Sequence, residues 1–453
     1  MSVIDRDRLL ALLGREHATF VATHPRSKAV FDDASHLFGR VPMTWMAMWS
    51  GGFPVAMDSA YGNRVVDVDG LEYVDFALGD TGAMAGHSPR ATVEAVTERI
   101  QTLGGITTML PTADAEWVGA ELSRRFGLPL WSYTLTATDA NRWAIRLARL
   151  ATGKPKILTF AYCYHGSVDE AFAVPGPDGS AVARTGLVGA PVPVDQTTRV
   201  AEFNDLDGVE AQLAHGDVAA ILTEPALTNI GIVLPEPGFH EGLRDLATRY
   251  GSLLMIDETH TFSAGPGGCT RLWDLDPDIF VIGKSIGGGI PSGAYGVTTA
   301  LAERVDADPD ADLVDVGGVG GTLAGNPLSV AAMRATLEHV LTEPAFAHMV
   351  DLSTRFAAGV QAVIEETGLP WSVSQLGARS EYRFAAPAPR TGSAAEAAGD
   401  AELDEYLHLY LLNRGVLITP FHNMALMCPD TTRADVDLHS ELFASAVGEL
   451  GAA

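Results

Sequence analysis

Apolar and polar residues alternate through residues 63–80, "NRVVDVDGLEYVDFALGD", on either side of an Asp69-Gly70 pair. A period of two interrupted by Asp-Gly predicts a β-hairpin with one face turned to a core. Ahead of it, Leu9, Leu10, Leu12 and Leu13 lie among acids and arginines, a spacing that suits a short amphipathic helix. From about residue 88 the pattern changes. Helical stretches ("ATVEAVTERIQTL", "NRWAIRLARLATG", "FHEGLRDLATRYG") now alternate with runs of strand length that are nearly all apolar: "WSYTLTA", "KILTFA", "VAAILTEPA", "SLLMIDE" and "IFVIGKS". Strands buried on both faces read this way, so the pattern predicts a mainly parallel sheet with crossover helices.

Beyond "GTLAGNPLSVAAMRATLEHVL", a turn and then a helix, the chain reads as α+β. "ARSEYRFAA" is a strand, "APAPRTGSAAEAAGDAE" a flexible small-residue insertion, and "LDEYLHLYLLNRG" a helix. "VLITPF" and "MALMCP" suggest a last hairpin. The expected architecture is α/β. A large domain spans residues 85–325, and a smaller α+β domain is assembled from both chain ends, 1–84 and 326–453. No internal repeat is apparent.

Composition narrows the class. A chain of 453 residues is near the size at which one core divides. With 47% hydrophobic and 19% charged residues, it is an ordinary globular protein and not a disordered one. A formal charge of −27, spread along the sequence, repels nucleic acid and anionic membranes, so neither is an expected partner. Cys163, Cys269 and Cys428 stand far apart, which argues against a disulfide framework or a zinc site. No run of about 18 uncharged apolar residues predicts a membrane span. The N-terminal stretch carries charges through its apolar part, unlike a secretory signal, so a cytoplasmic location is expected.

The chain has only four lysines, Lys28, Lys154, Lys156 and Lys284, beside twenty-six arginines. Lys284 sits where an apolar strand meets a glycine tract, "FVIGKSIGGGIPSGAYG". That junction places an amine at the carboxyl end of a sheet, where α/β proteins keep their ligand sites. An amine with a lowered pKa is a nucleophile towards carbonyls, as a Schiff base requires. A lysine beside a turn is ordinarily a surface lysine, but two further features change the odds. Asp257 ends the preceding apolar strand, "LLMID", and so shares the sheet edge. An acid there can hold a pyridinium nitrogen protonated, letting pyridoxal phosphate act as an electron sink. The "TATDAN" turn, residues 136–141, follows a strand and opens a helix, where backbone N–H groups and threonine hydroxyls can bind a phosphate. Alone, each has a plainer explanation as a turn former or helix cap.

The chain resembles the fold-type-I pyridoxal-phosphate enzymes of the class III aminotransferase family, most of all the branch of glutamate-1-semialdehyde aminomutases and β-amino acid transaminases. The likeness runs from about Phe53 to Phe443. "NRVVDVDGLEYVDF", "GHSP", "RLARLATGKPKILTF", "YCYHG", "TEPA", "LLMIDETHT", "DIFVIGKSIGGGIPSGAYG" and "GTLAGNP" follow in the family order. The resemblance implies that Lys284 forms the internal aldimine and shuttles the proton, and that Asp257 pairs with the pyridine nitrogen. Thr259 would touch one face of the ring, Tyr164 would stack on the other, and His165 would sit beside it. Ala137 and Thr138 would hold the phosphate, and Glu224 would organise hydrogen bonds near the ring. Thr322 would reach the phosphate from a second subunit, implying a homodimer with shared sites.

Departures from the family fall on the substrate side. Where relatives acting on β-amino acids carry arginines, this chain has Trp45 in "VPMTWMAMW" and Phe421 in "TPFHNM". Neither can offer paired donors to a carboxylate. The aminomutases' tryptophan in the first hairpin becomes Asp80, and His422 and Asn423 are the nearby polar residues. The expected pocket is aromatic at one end with an acid at another, suited to an amine, amino alcohol or cationic substrate. The expected reaction is transfer of an amino group to a keto acid or aldehyde. An aminomutase, racemase or lyase reaction on the same scaffold is the alternative, since the same carbanion serves all of them.

Overall fold

A computed structural model of the chain describes residues 4–309, 311 and 317–451. It divides into two compact units: residues 1–89, 344–388 and 398–453 form the first, and residues 90–343 with 389–397 the second.

The first unit contains the predicted hairpin. Arg64–Asp67 and Glu72–Asp75 pair antiparallel, and Gly70 takes the left-handed φ of 86° that closes the turn. Met57–Tyr61 extends this sheet on one side and Val416–Leu417 on the other. A second, antiparallel sheet consists of Ser372–Leu376, Arg379–Arg383 and Met424–Leu426. The expected last hairpin is therefore not formed. Val416–Leu417 runs parallel to Glu72–Asp75, whereas Met424–Leu426 pairs with Arg379–Arg383. Pro420 has no N–H to give a ladder, and the connection loops between sheets. The N-terminal amphipathic helix, Arg6–Thr23, starts on Asp5, whose side chain accepts from the Arg8 amide. It packs against Ala401–Leu412.

The second unit carries a seven-stranded sheet in the order Leu130–Thr134, Gly293–Val297, Ile279–Ile282, Leu253–Asp257, Val218–Thr223, Lys156–Phe160 and Thr198–Ala201. The last five are mutually parallel; Gly293–Val297 runs antiparallel to both its neighbours. Every residue of Val218–Thr223, Leu253–Asp257 and Ile279–Ile282 is buried, as their unbroken apolar runs require. The supposedly flexible insertion belongs to this unit in part. Gly392–Ala397 is a short helix, and Gly392 lies so close to Ala161 that a Cβ there would be 2.0 Å from its carbonyl oxygen. Small residues there permit close packing. No helix among the described residues is long and apolar enough to cross a membrane.

Candidate active site

Asp257 and Lys284 meet because their strands are parallel neighbours. Asp257 lies opposite Val281, so Lys284, three residues further on, leaves the sheet at the same edge. Gly283 then passes the start of the helix Ala137–Thr152 so closely that a Cβ would sit 3.0 Å from the Ala137 nitrogen. Lys284 itself is held at a φ of 51°, a left-handed conformation costly for a residue with a side chain. Its Nζ lies 2.8 Å from His260 Nε2.

The Asp257 carboxylate is 3% exposed and well partnered. Asn141 Nδ2 donates to Oδ2 at 2.8 Å, His165 Nδ1 stands 2.9 Å from the same oxygen, and the Thr259 amide donates to Oδ1 at 3.0 Å. Burial works to raise its pKa, but His165, Thr259 and Asn141 outweigh burial and hold it below the ordinary carboxylate value. Burial opposes charge on His165 too, yet Cys163 and Asp257 carry that ring well above its usual value.

Around this pair, buried polar atoms lack partners: His165 Nε2, Asn141 Oδ1 and Thr259 Oγ1. Such atoms are rare in a folded chain and call for a bound group or water to satisfy them. The phosphate turn is built alongside. Thr136 caps the 16-residue helix by accepting from the Asp139 amide at 3.1 Å, leaving the Ala137 and Thr138 amides at its positive end. Thr138 Oγ1 accepts from the Ser167 amide at 3.1 Å, and Gly166, with a φ of 75°, passes so near that a Cβ would lie 2.1 Å from that oxygen. Glu224, 2% exposed, accepts from the Tyr164 amide at 3.3 Å and from both the amide (3.0 Å) and hydroxyl of Thr228. Burial raises its pKa. Tyr164 is half-buried, its ring edge-on to Phe172. Thr322 is exposed on the isolated chain.

The structure therefore gathers Lys284, Asp257, His165, Thr259, Ala137, Thr138, Glu224 and Tyr164 on one unit. Sequence reasoning passed over Asn141 and His260. Asn141 lies one turn into the phosphate helix, at a spacing that looks like an ordinary helical polar residue. His260 lies inside the quoted "DETHT" and was overlooked beside its neighbours.

The substrate-side residues lie in the first unit. Trp45 and Phe421, the positions that lost arginines, are in contact, with ring centroids 5.6 Å apart and edge to face. His422 is buried with Nδ1 3.4 Å from Glu381 Oε1. Asp80 is not the lone acid expected: Arg379 Nη2 lies 3.9 Å from its Oδ1, within ion-pair range. The "ARSEYRFAA" strand thus brings in a guanidinium that the sequence reading did not consider.

A strand-end lysine, a buried carboxylate partnered by a histidine and a phosphate-ready helix start together define a pyridoxal-phosphate site of fold type I. The aminotransferase class-III pattern matches residues 45–443, and the chain belongs to the class III aminotransferase family. Its cofactor is pyridoxal 5′-phosphate. Among solved structures, a glutamate-1-semialdehyde-aminomutase from Pseudomonas aeruginosa PAO1, in complex with PMP, is 49% identical, with a TM-score of 0.95 and 99% of each chain covered. An omega-transaminase from Sphaerobacter thermophilus is 28% identical with a TM-score of 0.85, covering 94% of this chain and 98% of that one. The glutamate-1-semialdehyde 2,1-aminomutase of Chloroflexus aggregans (strain MD-66 / DSM 9485) is 34% identical over 401 residues, covering 85% of this chain and 89% of its own.

Proposed function

We propose that the protein is an aminotransferase, moving an amino group from an amine or amino acid to a keto acid or aldehyde. The observation that carries this is the juxtaposition of Lys284 with the ionised Asp257 at one sheet edge, beside the helix start at Ala137 and Thr138. Bound pyridoxal phosphate supplies an electron sink for a carbanion. The chain's residues do the rest. Asp257, kept ionised by three donors, holds the proton of the ring nitrogen. Ala137, Thr138 and the helix start take the phosphate. Tyr164, anchored through its amide to Glu224, and Thr259 would hold the ring between them. Lys284 moves the proton at its Nζ, and His260 Nε2, at 2.8 Å, is placed to orient that amine. In this reading Thr322, exposed on the single chain, would reach the phosphate of a second copy in a homodimer, and the enzyme is cytoplasmic.

An aminomutase reaction is the second reading, and the aminomutase relatives favour it. Asp80 in place of their tryptophan, with Trp45 against Phe421, weighs against the same substrate. The two are separated by following the bound cofactor's absorbance with a panel of amines. Transfer predicts loss of the band with amine alone and its return on adding pyruvate or 2-oxoglutarate. A mutase cycles one substrate to product without an acceptor. In either case Lys284→Ala lowers turnover by at least about a hundredfold, because it removes the proton carrier. Full turnover by that variant would refute the mechanism.

A further inference from the structure

Residues 389–397 belong to the second unit, although the chain before and after them belongs to the first. The second unit grips this segment along its length. The Arg390 carbonyl accepts from Asn204 Nδ2 at 2.9 Å. The same nitrogen donates to the Leu234 carbonyl at 3.0 Å, and Asn204 Oδ1 accepts from the Glu236 amide at 2.8 Å. The Arg390 guanidinium pairs with Glu236. The Ser393 amide donates to Glu202 at 3.3 Å, and its hydroxyl reaches the same carboxylate. Thr391 starts the helix Gly392–Ala397: its Oγ1 accepts from the Ala394 amide at 3.2 Å and its carbonyl from the Ala395 amide at 3.0 Å. Ala395 is 1% exposed and sits in the same core cluster as Phe160 and Leu227.

Gly392 presses on the start of the loop that carries Tyr164 and His165. A Cβ there would lie 2.0 Å from the Ala161 oxygen and 3.5 Å from Leu227 Cδ1. Gly392 is not itself left-handed, so its missing side chain serves space alone. Ala161 lies inside a tight turn closed by the Cys163 amide, which donates to the Phe160 carbonyl at 3.1 Å. The Ala161 carbonyl belongs to the central peptide of that turn, and Tyr162 after it is left-handed, with a φ of 62°. The orientation of the central peptide decides whether the residue following it is left-handed. A residue with a side chain stays in that conformation only where its surroundings hold it there. Gly392 is packed against the oxygen that has to swing for the turn to relax. Its second neighbour, Leu227, stands in the loop of Glu224 and Thr228, where Glu224 accepts from the Tyr164 amide.

We propose that residues 389–397 are a positioning element for the cofactor ring. Gly392 fixes the Ala161 carbonyl, and with it the direction in which Tyr164 and His165 leave the turn. The segment touches the two loops that support Tyr164 and contributes no group of its own to the ring. The proposal rests on the placement of Tyr164 and His165 at the ring and says what keeps them there.

The coupling has to be reciprocal: a segment that steadies this loop is itself steadied when the loop closes on a ligand. Hydrogen exchange in residues 389–397 should therefore slow by at least about fivefold when the cofactor-free protein takes up pyridoxal phosphate. Gly392→Ala should change the visible circular dichroism of the bound cofactor and speed its release by at least about fivefold, from one methyl too many in a packed site. Ser393→Ala, which loosens the grip from the outer side, should do the same more weakly. A segment with a purely structural role would lower the melting temperature of Gly392→Ala and leave dichroism and exchange unmoved. Exchange indifferent to the cofactor overturns the proposal, and so does unchanged dichroism in Gly392→Ala. If that variant does not fold, the exchange comparison on the unaltered chain decides alone. Unchanged dichroism in Tyr164→Ala would strike the placement of Tyr164 at the ring instead, and the exchange comparison again decides the role of the segment.

Discussion

Arg125 and Arg379 are both buried, at 5% and 0% exposure, one in each unit. Arg125 uses its whole fork. Nε donates to Glu121 at 2.7 Å, Nη1 to the Leu341 and Pro266 carbonyls at 3.0 and 3.2 Å, and Nη2 to the Leu337 carbonyl at 2.8 Å. It ties the helix Ala113–Phe126 to the end of Pro327–His339. Arg379 donates to nothing. The buried acids repeat the contrast. Glu258 accepts from the Thr261 hydroxyl, the Cys269 amide and both the amide and hydroxyl of Thr270, while Glu381 accepts no hydrogen bond. Burial alone does not show how a charge is held; its partners do.

The largest test of this contrast is the stability cost of truncating each arginine. Arg125→Met should lose about 3–5 kcal/mol, because it removes four hydrogen bonds, two of them to the buried Leu337 and Leu341 carbonyls. Arg379→Met should lose about 1 kcal/mol or less, since no hydrogen bond disappears with it. Equal losses in urea unfolding would erase the distinction.

An intermediate effect is acid sensitivity from two buried histidines of the first unit. Burial pushes His439 down to about 3 and His408 down to about 4. Both imidazoles are then neutral when folded but protonate in the unfolded chain near 6.5. Their stability is present above that pH and falls away as pH drops, by about 1.4 kcal/mol per pH unit per group. Asp404, raised by burial to about 6, holds its proton more readily when folded and offsets one such group between about pH 6 and 4. In the second unit, Glu224 and Glu258 are likewise raised by burial and gain on acidification, whereas Asp257 is held low by its donors and His240 is pushed down by burial, so the opposing contributions partly cancel there. Hydrogen exchange at pH 5 against pH 7 should open the helices Ala401–Leu412 and Arg433–Gly451 before the seven-stranded sheet. His439→Phe should flatten the slope of stability with pH by one proton. An unchanged slope would remove His439 as its source.

The smallest effect belongs to Gly166. Gly166→Ala adds a Cβ at 2.1 Å from Thr138 Oγ1 in a left-handed backbone. It should weaken retention of the cofactor, read by its release on dialysis, with little change in the melting of the cofactor-free protein.

Much of the second unit was legible because parallel strands buried on both faces leave unbroken apolar runs. The carboxyl ends of two such runs then had to place Asp257 and Lys284 side by side. Gly293–Val297 was missed because "GAYGV", with two glycines in five residues, reads as part of a glycine tract and has no strand periodicity. The last hairpin failed because proximity in sequence suggested a pairing that sheet membership overruled. Arg379 was illegible for a deeper reason. Charges that alternate with apolar residues ordinarily face water, and only the packing reveals that here both faces of the strand are interior.

Gly283 leaves no room for even a methyl group between the lysine-bearing strand and the start of the phosphate helix. For anyone wishing to refit this enzyme to bulkier amines, that contact rules out one route. A side chain added at position 283 would press the lysine-bearing strand against the start of the phosphate helix. Room has to be made at other positions of the site.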